Sequence, residues 1–421
     1  MALKLLKKRP ILGWVLYDCA NSAFALSVVA TLYPVLLSNY WSECTDASLV
    51  TARRGLTTAA ASLIIAFVAP VLGAIADAGG ARKRFQIVFT GLALTSTGSL
   101  YFVGQGQWQA ALGLYLIALV GFYGANTFYD SLIVNVAKPD EFEQVSALGF
   151  SMGYGASVLL FLFNLWMVQS PETFGLANAA VATQIAFALV AVWWLVFTIP
   201  LVLFVKEQKN EGPSLGRAIV DGYRTLIKTF REVRKYKNLG LFLLAYWLYI
   251  DGVHTLFLMA TNFGLRLGFE QNDLMLALLI TNIIGVPATL GFGWLGDRIG
   301  PKRAIYMGVS VYLLIGLWGL VLEEVWQYYA MAIGVGLVQG GVQAMSRSLY
   351  ARLVPPEKAS EFFGFYSMLG KFAAILGPLL IGLLALVSDD PRVSVLALIP
   401  LFVLGVMVLT RVDVSDVKPA R

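Results

Sequence analysis

Apolar stretches near twenty residues long return twelve times along this chain of 421 residues, parted by short polar turns. A helix of roughly 20 apolar residues is what it takes to cross the hydrocarbon core of a bilayer. Within that core every backbone N–H and C=O must find a partner in the protein itself, which leaves helices or closed barrels. The expected fold is an all-α polytopic membrane protein; a soluble all-α protein with buried helices is the alternative, and apolar runs recurring at spanning length argue against it. The spans are expected near 11–38, 54–76, 85–103, 109–136, 145–169, 181–205, 239–266, 274–295, 303–322, 327–353, 361–387 and 393–411. Composition agrees: 58% of residues are hydrophobic and 13% charged, against about 25% charged in soluble domains.

Charge then orients the chain. An even number of spans puts both termini on one side. The segments facing that side hold 25 of the 31 Lys and Arg, and the other side holds only Arg53, Arg54, Arg266 and Arg392. The positive-inside rule makes the basic side cytoplasmic. The start, MALKLLKKRP, leads into the first apolar run without a small-residue cleavage site, so that run reads as a retained helix. A multi-pass protein of a plasma membrane (the inner membrane of a bacterium), monomeric and unconnected with nucleic acid, is expected. In the longest loop, Leu215, Ile219, Tyr223, Leu226, Phe230 and Val233 recur at helical spacing opposite basic residues. This suggests a surface helix on anionic headgroups, with a plain solvated linker as the alternative. Cys19 and Cys44 suggest neither a disulfide nor a metal site.

Three repeats divide the chain in two. WVLYDCAN from Trp14 returns as WLYIDGVH from Trp247, aligning Asp18 with Asp251 and Asn21 with His254. GAIADAGGARKR from Gly73 returns as GWLGDRIGPKR from Gly293, aligning Asp77 with Asp297 and Gly80 with Gly300. A third match pairs Asn126 with Gln343, Asp130 with Arg347, Ser131 with Ser348 and Pro139 with Pro356. All run in one direction with an even number of spans between copies. The halves are therefore parallel repeats about an axis along the membrane normal. The expected organisation is a first bundle over 1–205, a cytoplasmic linker over 206–238 and a second bundle over 239–421.

The G-x-x-x-D-x-x-G-x-[RK]-[RK] turns after the second and eighth spans resemble the signature loops of the major facilitator superfamily. A finer resemblance, to the vacuole effluxers of autophagy and the bacterial unknown major facilitator family, rests on GWVLYDCANSAF (13–24), ALGFSMGYGAS (147–157), SRSLYARLVPPE (346–357) and FFGFYSMLGKFAAILGP (362–378). It covers nearly the whole chain. It implies twelve transmembrane helices in two six-helix repeats, no enzymatic activity, and transport by alternating access. For eukaryotic members it implies export of amino acids from the vacuole. Two positions depart from the pattern: Cys19 stands where an aromatic is common, and Asp130 where an amide is common.

Ionisable residues inside a membrane are costly and mark pathways for ions or polar solutes. Helical rise places Asp18 roughly 10 Å, Lys371 roughly 15 Å, Asp251 roughly 18 Å and His254 roughly 22 Å from the cytoplasmic edge. Asp251 and His254, three residues apart, share a helix face. Asp18, Asp251 and His254 are accordingly candidate proton carriers. Lys371 is a candidate for a substrate carboxylate, or for neutralising Asp251 in an empty site. Asn21, Asn126, Gln343 and Tyr17 are candidate hydrogen-bonding partners of substrate. Asp77, Arg82, Asp297, Arg347 and Asp130 are candidate gate residues, Arg347 pairing Asp297 or Glu361, and Asp130 pairing Arg82 or Arg84. Each acid also has a structural reading, as an acceptor for neighbouring hydroxyls and amides. There is no G-x-x-x-x-G-K-[ST] for ATP and no metal-ligand spacing, so a gradient is the expected energy source and no cofactor is expected. The function expected is secondary transport of a small polar solute, an amino acid or peptide-like metabolite, with protons coupled and export favoured. Transport of amphiphiles (lipid, drug or siderophore) is one alternative, and a non-transporting scaffold or sensor another.

Overall fold

The computed structural model describes residues 2–42, 45–207, 237–373, 376–385, 392, 395–396 and 398–414. The expected surface helix between the halves and Cys44 lie outside the described residues. Every expected span meets a helix. In the first half these are α1 (Arg9–Trp41), α2 (Ala47–Gly79), α3 (Arg82–Ser99), α4 (Trp108–Ser131), α5 (Phe142–Gln169) and α6 (Ala179–Phe204). In the second half α7 (Lys237–Arg266), α8 (Gln271–Ile299), α9 (Pro301–Trp318) and α10 (Val325–Leu353) follow. The eleventh span comprises two helices, α11 (Ala359–Phe372) and α12 (Leu376–Ala385), and α13 (Leu398–Thr410) lies in the twelfth. Among the described residues, eight helices are both long and apolar enough to cross a membrane.

The repeats set the packing. α1 lies on α5 and α6, and α3 on α4; in the second half α8 and α9 lie on α10, and α7 on α13. The halves meet through α2 against α11 and α5 against α8, two pairs that the repeat relates to each other. Large apolar side chains such as Phe67, Phe102, Leu159, Leu203 and Leu314 are exposed on the outside, where lipid would cover them.

The end of the bundle that carries the N-terminus and the α2–α3 and α8–α9 turns is its basic face. Both turns use the glycine that the repeat aligns: Gly80 has φ +56° and Gly300 φ +88°. This is a region that side chains with a Cβ rarely adopt. The sharp turn aims the preceding Asp at the other half. Asp77 accepts N–H bonds from Ser360 (3.1 Å) and Glu361 (2.8 Å) at the start of α11. Those amides have no partner within the helix, and a carboxylate also suits the positive end of its dipole. Arg82 holds Asp77 at 2.7 Å, donates to Asn135 at 2.9 Å and reaches the Pro356 carbonyl at 2.7 Å. In the second copy, Asp297 accepts from Gln144 of α5 at 2.7 Å. Beside it Arg352 of α10 grips Glu143 of α5 through Nε at 2.7 Å and a second nitrogen at 2.5 Å. The basic face is thus closed by polar contacts between the halves.

Candidate functional site

Above that closure lies a cavity of about 410 Å³ between the halves. Its polar lining comes from Asp18, Asn21 and Ser22 of α1, Asn126 and Asp130 of α4, His254 of α7, Asn282 of α8, Gln339, Gln343 and Arg347 of α10, and Lys371 of α11. Rings line much of the rest, among them Phe122, Phe150, Tyr154, Tyr246, Phe257 and Tyr366. Away from the basic face it reaches Ala30, Ser157 and Phe257. Spacing explains who faces inward. Gln339, Gln343 and Arg347 are four residues apart on α10, as are Phe122, Asn126 and Asp130 on α4, so each set forms one stripe.

At the floor, Arg347 joins two carboxylates. It is 3.0 Å from Asp130 and 3.4 Å from Asp18. It also donates to Ser146 of α5, through Nε to the hydroxyl (2.9 Å) and through NH2 to the carbonyl (3.0 Å). Its guanidinium carbon sits 4.6 Å from the Trp14 ring centre and 4.3 Å from that of Phe150. Such stacking suits a planar, weakly hydrated cation. Asp18 is completed by the Tyr129 hydroxyl at 2.8 Å and by Asn21 at 3.5 Å. Asn21 donates in turn to Asn126 at 3.0 Å. Asp130 and Arg347 are counterparts in the third repeat. Counterparts under a two-fold touch only near its axis, so this pair marks the axis at the cavity floor. The repeat made the positions equivalent; opposite charges let them bond.

Gly149 lets α5 close on this cluster. A Cβ there would run into the Asp18 carboxylate and come within 3.2 Å of Arg347.

The remaining candidates separate. Lys371 lines the cavity but does not pair with Asp251. Its Nζ lies 3.4 Å from the centre of the Tyr123 ring of α4, and it forms no ion pair among the described residues. Asp251 is fully buried and does not line the cavity. It accepts N–H bonds from Leu376 (3.1 Å) and Gly377 (3.0 Å), which open α12, and a Thr255 hydroxyl at 3.2 Å. It therefore caps the start of α12, and its described bonds go to that helix and to Thr255 rather than to His254. Tyr17 is also turned out of the cavity: its hydroxyl meets Thr90 of α3 at 2.8 Å. Asn21, Asn126 and Gln343 do line the cavity.

The gate contacts need two corrections. Arg347 takes Asp18 and Asp130 in place of Asp297 or Glu361, because its side chain lies toward the axis. Asp130 takes Arg347 in place of Arg82 or Arg84, since Arg82 is engaged by Asp77, Asn135 and the Pro356 carbonyl. The sequence reading missed Glu143–Arg352, Gln144–Asp297 and the cavity amides Gln339 and Asn282. For Gln339, the four-residue step to Gln343 and Arg347 was the available signal. Among the described residues no group of three His, Cys, Asp or Glu could hold a metal ion.

Comparison with known proteins agrees with this architecture. The family described as vacuole effluxer Atg22 like matches residues 41–141 and 135–420. An uncharacterised MFS-type transporter of Bacillus subtilis, YxiO, is 36% identical over 415 residues, spanning 96% of each chain. The proton:xylose symporter XylE superposes with a TM-score of 0.72 at 13% identity, covering 96% of this chain and 95% of the other. A bacterial homologue of the iron transporter ferroportin, in its outward-facing state, gives a TM-score of 0.67 at 13% identity over 96% and 98%. With its major facilitator fold and a match along nearly its whole length, the chain belongs to the Atg22-like vacuole effluxer family of major facilitator transporters.

Proposed function

We propose that this transporter moves a small polar solute, an amino acid or small peptide-like metabolite, by proton-coupled secondary transport. Export is the favoured direction, as the family's description as effluxers suggests. The basic face is taken as cytoplasmic, in a plasma membrane, with residues 1–205 and 239–421 rocking about the cavity as a monomer. The observation that carries the reading is the ion cluster at the cavity floor. Arg347 of the second half is held by Asp18 and Asp130 of the first, at the base of a polar cavity and above a closed basic face. This places a charge bond across the halves within reach of the cavity.

A proton delivered to Asp130 or Asp18 would cancel a charge that Arg347 holds. The groups facing Asp18 are Arg347, Tyr129 and Asn21; the group bonded to Asp130 is Arg347. With that bond weakened, the halves remain tied at the basic face by Asp77 on the start of α11, Gln144 on Asp297 and the Glu143–Arg352 ion pair, and parting there requires these to give way as well. His254 stands in the cavity wall, where a neutral imidazole can relay the proton. We assign the coupling step to Asp18 and Asp130, and give Asp251, enclosed by N–H and O–H donors, the task of holding the start of α12. Asn21, Asn126 and Gln343 would bond the solute.

The test is flux. Purified protein in liposomes under a pH gradient, given a panel of labelled amino acids and dipeptides, should show gradient-driven movement of at least one. No pH-driven flux across the panel would contradict coupling. The aromatic lining favours a second reading, transport of an amphiphile; gradient-driven movement of a lipid or siderophore without amino-acid flux would establish it instead.

A further inference from the structure

Four charged side chains line the cavity: Asp18, Asp130, Arg347 and Lys371. The two acids are both bonded to Arg347. Lys371 therefore faces the cavity with no carboxylate in an ion pair with it among the described residues. What its ammonium does meet is the face of Tyr123, 3.4 Å from the ring centre. Tyr123 belongs to α4, in the other half of the molecule, and is not itself part of the cavity lining. The side chain of Lys371 thus runs along the cavity wall and rests its head on a neutral ring. A ring quadrupole attracts a cation, but less strongly than a desolvated carboxylate at similar range. The long, flexible lysine stem permits a second position of the same head inside the cavity.

We propose that Tyr123 is the resting seat of the Lys371 ammonium, and that a substrate carboxylate takes the ring's place. This rests on the reading of the cavity as the substrate site. Two consequences follow from the geometry. The ring competes with the substrate for one cation, so Tyr123 sets affinity without touching the solute. Because the Lys371–Tyr123 contact crosses the halves, its exchange for a carboxylate also removes a tie between α11 and α4. An empty cavity keeps that tie, and an occupied one releases it.

The experiment uses the purified full-length protein. Thermal stabilisation is titrated with the twenty common amino acids, with their decarboxylated amines, and with matching deaminated acids such as 3-phenylpropionate. Wild type, Tyr123→Phe, Tyr123→Leu, Lys371→Gln and the double variant Tyr123→Leu/Lys371→Gln are compared. Carboxylate compounds should bind, and Lys371→Gln should abolish the preference for acids over amines. Tyr123→Leu should tighten carboxylate binding about 3- to 10-fold, the competition lost with the ring, while Tyr123→Phe should match wild type. In the Lys371→Gln background the Tyr123 replacement should change nothing. The proposal is overturned if Tyr123→Leu weakens or leaves unchanged the binding of acids, or if amines bind and acids do not. The amine-only outcome would leave transport of a polar solute standing. If no compound binds and the liposome panel shows no flux, the substrate reading fails and this proposal with it. Should Tyr123→Leu fold poorly, Tyr123→Gln carries the same comparison, because an amide also lacks the ring's face.

Discussion

Arg347 is the residue that holds both carboxylates at the cavity floor. With both Asp18 and Asp130 on it, its removal leaves two carboxylates without their cation. Breaking a buried pair from one side costs about 3–5 kcal/mol. Arg347→Met should therefore lower unfolding stability in detergent by that order, read from a denaturant or thermal melt. Asp18→Asn should cost less, because Arg347 keeps Asp130 and Tyr129 keeps an acceptor at position 18. Gly149→Ala brings a methyl onto the Asp18 carboxylate; overpacking of this kind costs about 1–3 kcal/mol. In such a variant the cluster should be disturbed although no charge has changed, which a crystal structure or a double-mutant cycle with Asp18→Asn would report. The sequence identified Asp18, Arg347 and Asp130 as intramembrane charges without showing that they meet. The alignment of Asp130 with Arg347 contained the missing fact, since counterparts in a two-fold repeat can bond only beside the axis. How near the axis a position lies is a property of helix tilt, and tilt is not written in residue spacing.

At the scale of elements, the two copies of the first repeat have diverged in backbone as well as side chain. α1 is α-helical to Ala23 and then widens into a π-helix over Phe24–Leu32, beside the cavity residues Ala25, Leu26 and Ala30. The Thr31 hydroxyl donates to the carbonyls of Leu26 (2.8 Å) and Ser27 (2.9 Å) in this stretch. Its counterpart α7 stays α-helical throughout. In the second half the Asp251 carboxylate takes the N–H groups of Leu376 and Gly377, the first described residues of α12. A sequence signal existed: Pro378 sits in the first turn of α12, where a missing N–H costs nothing, and Gly377 precedes it. Asp251→Leu should unsettle that start by about 1–3 kcal/mol, the cost of leaving buried donors unmatched. Faster amide exchange at Leu376 and Gly377 is the readout, with Asp251→Asn intermediate because its amide keeps one acceptor. The turns at Gly80 and Gly300 were legible outright, because only glycine readily takes their φ and the motif repeats it.

For the whole molecule, the fold was legible from span length, sorted charge and parallel repeats, all consequences of the bilayer as solvent. The conformation was not, because the residues that close the basic face are equally compatible with its being open. The structure is closed there by Asp77 on the start of α11, by Arg352 on Glu143 and by Arg347 on two acids. If protonation of Asp18 or Asp130 releases the last of these, the separation of the halves at the basic face must follow pH. The most direct measurement is the distance between spin labels at Arg84 and Glu357, exposed positions on opposite halves of that face, with Cys19 and Cys44 replaced by serine. A short distance at high pH that lengthens as pH falls, and that is already long at high pH in Asp18→Asn/Asp130→Asn, is the predicted result. A distance indifferent to pH in protein that still transports under a pH gradient would contradict the claim that this cluster is the proton-operated lock.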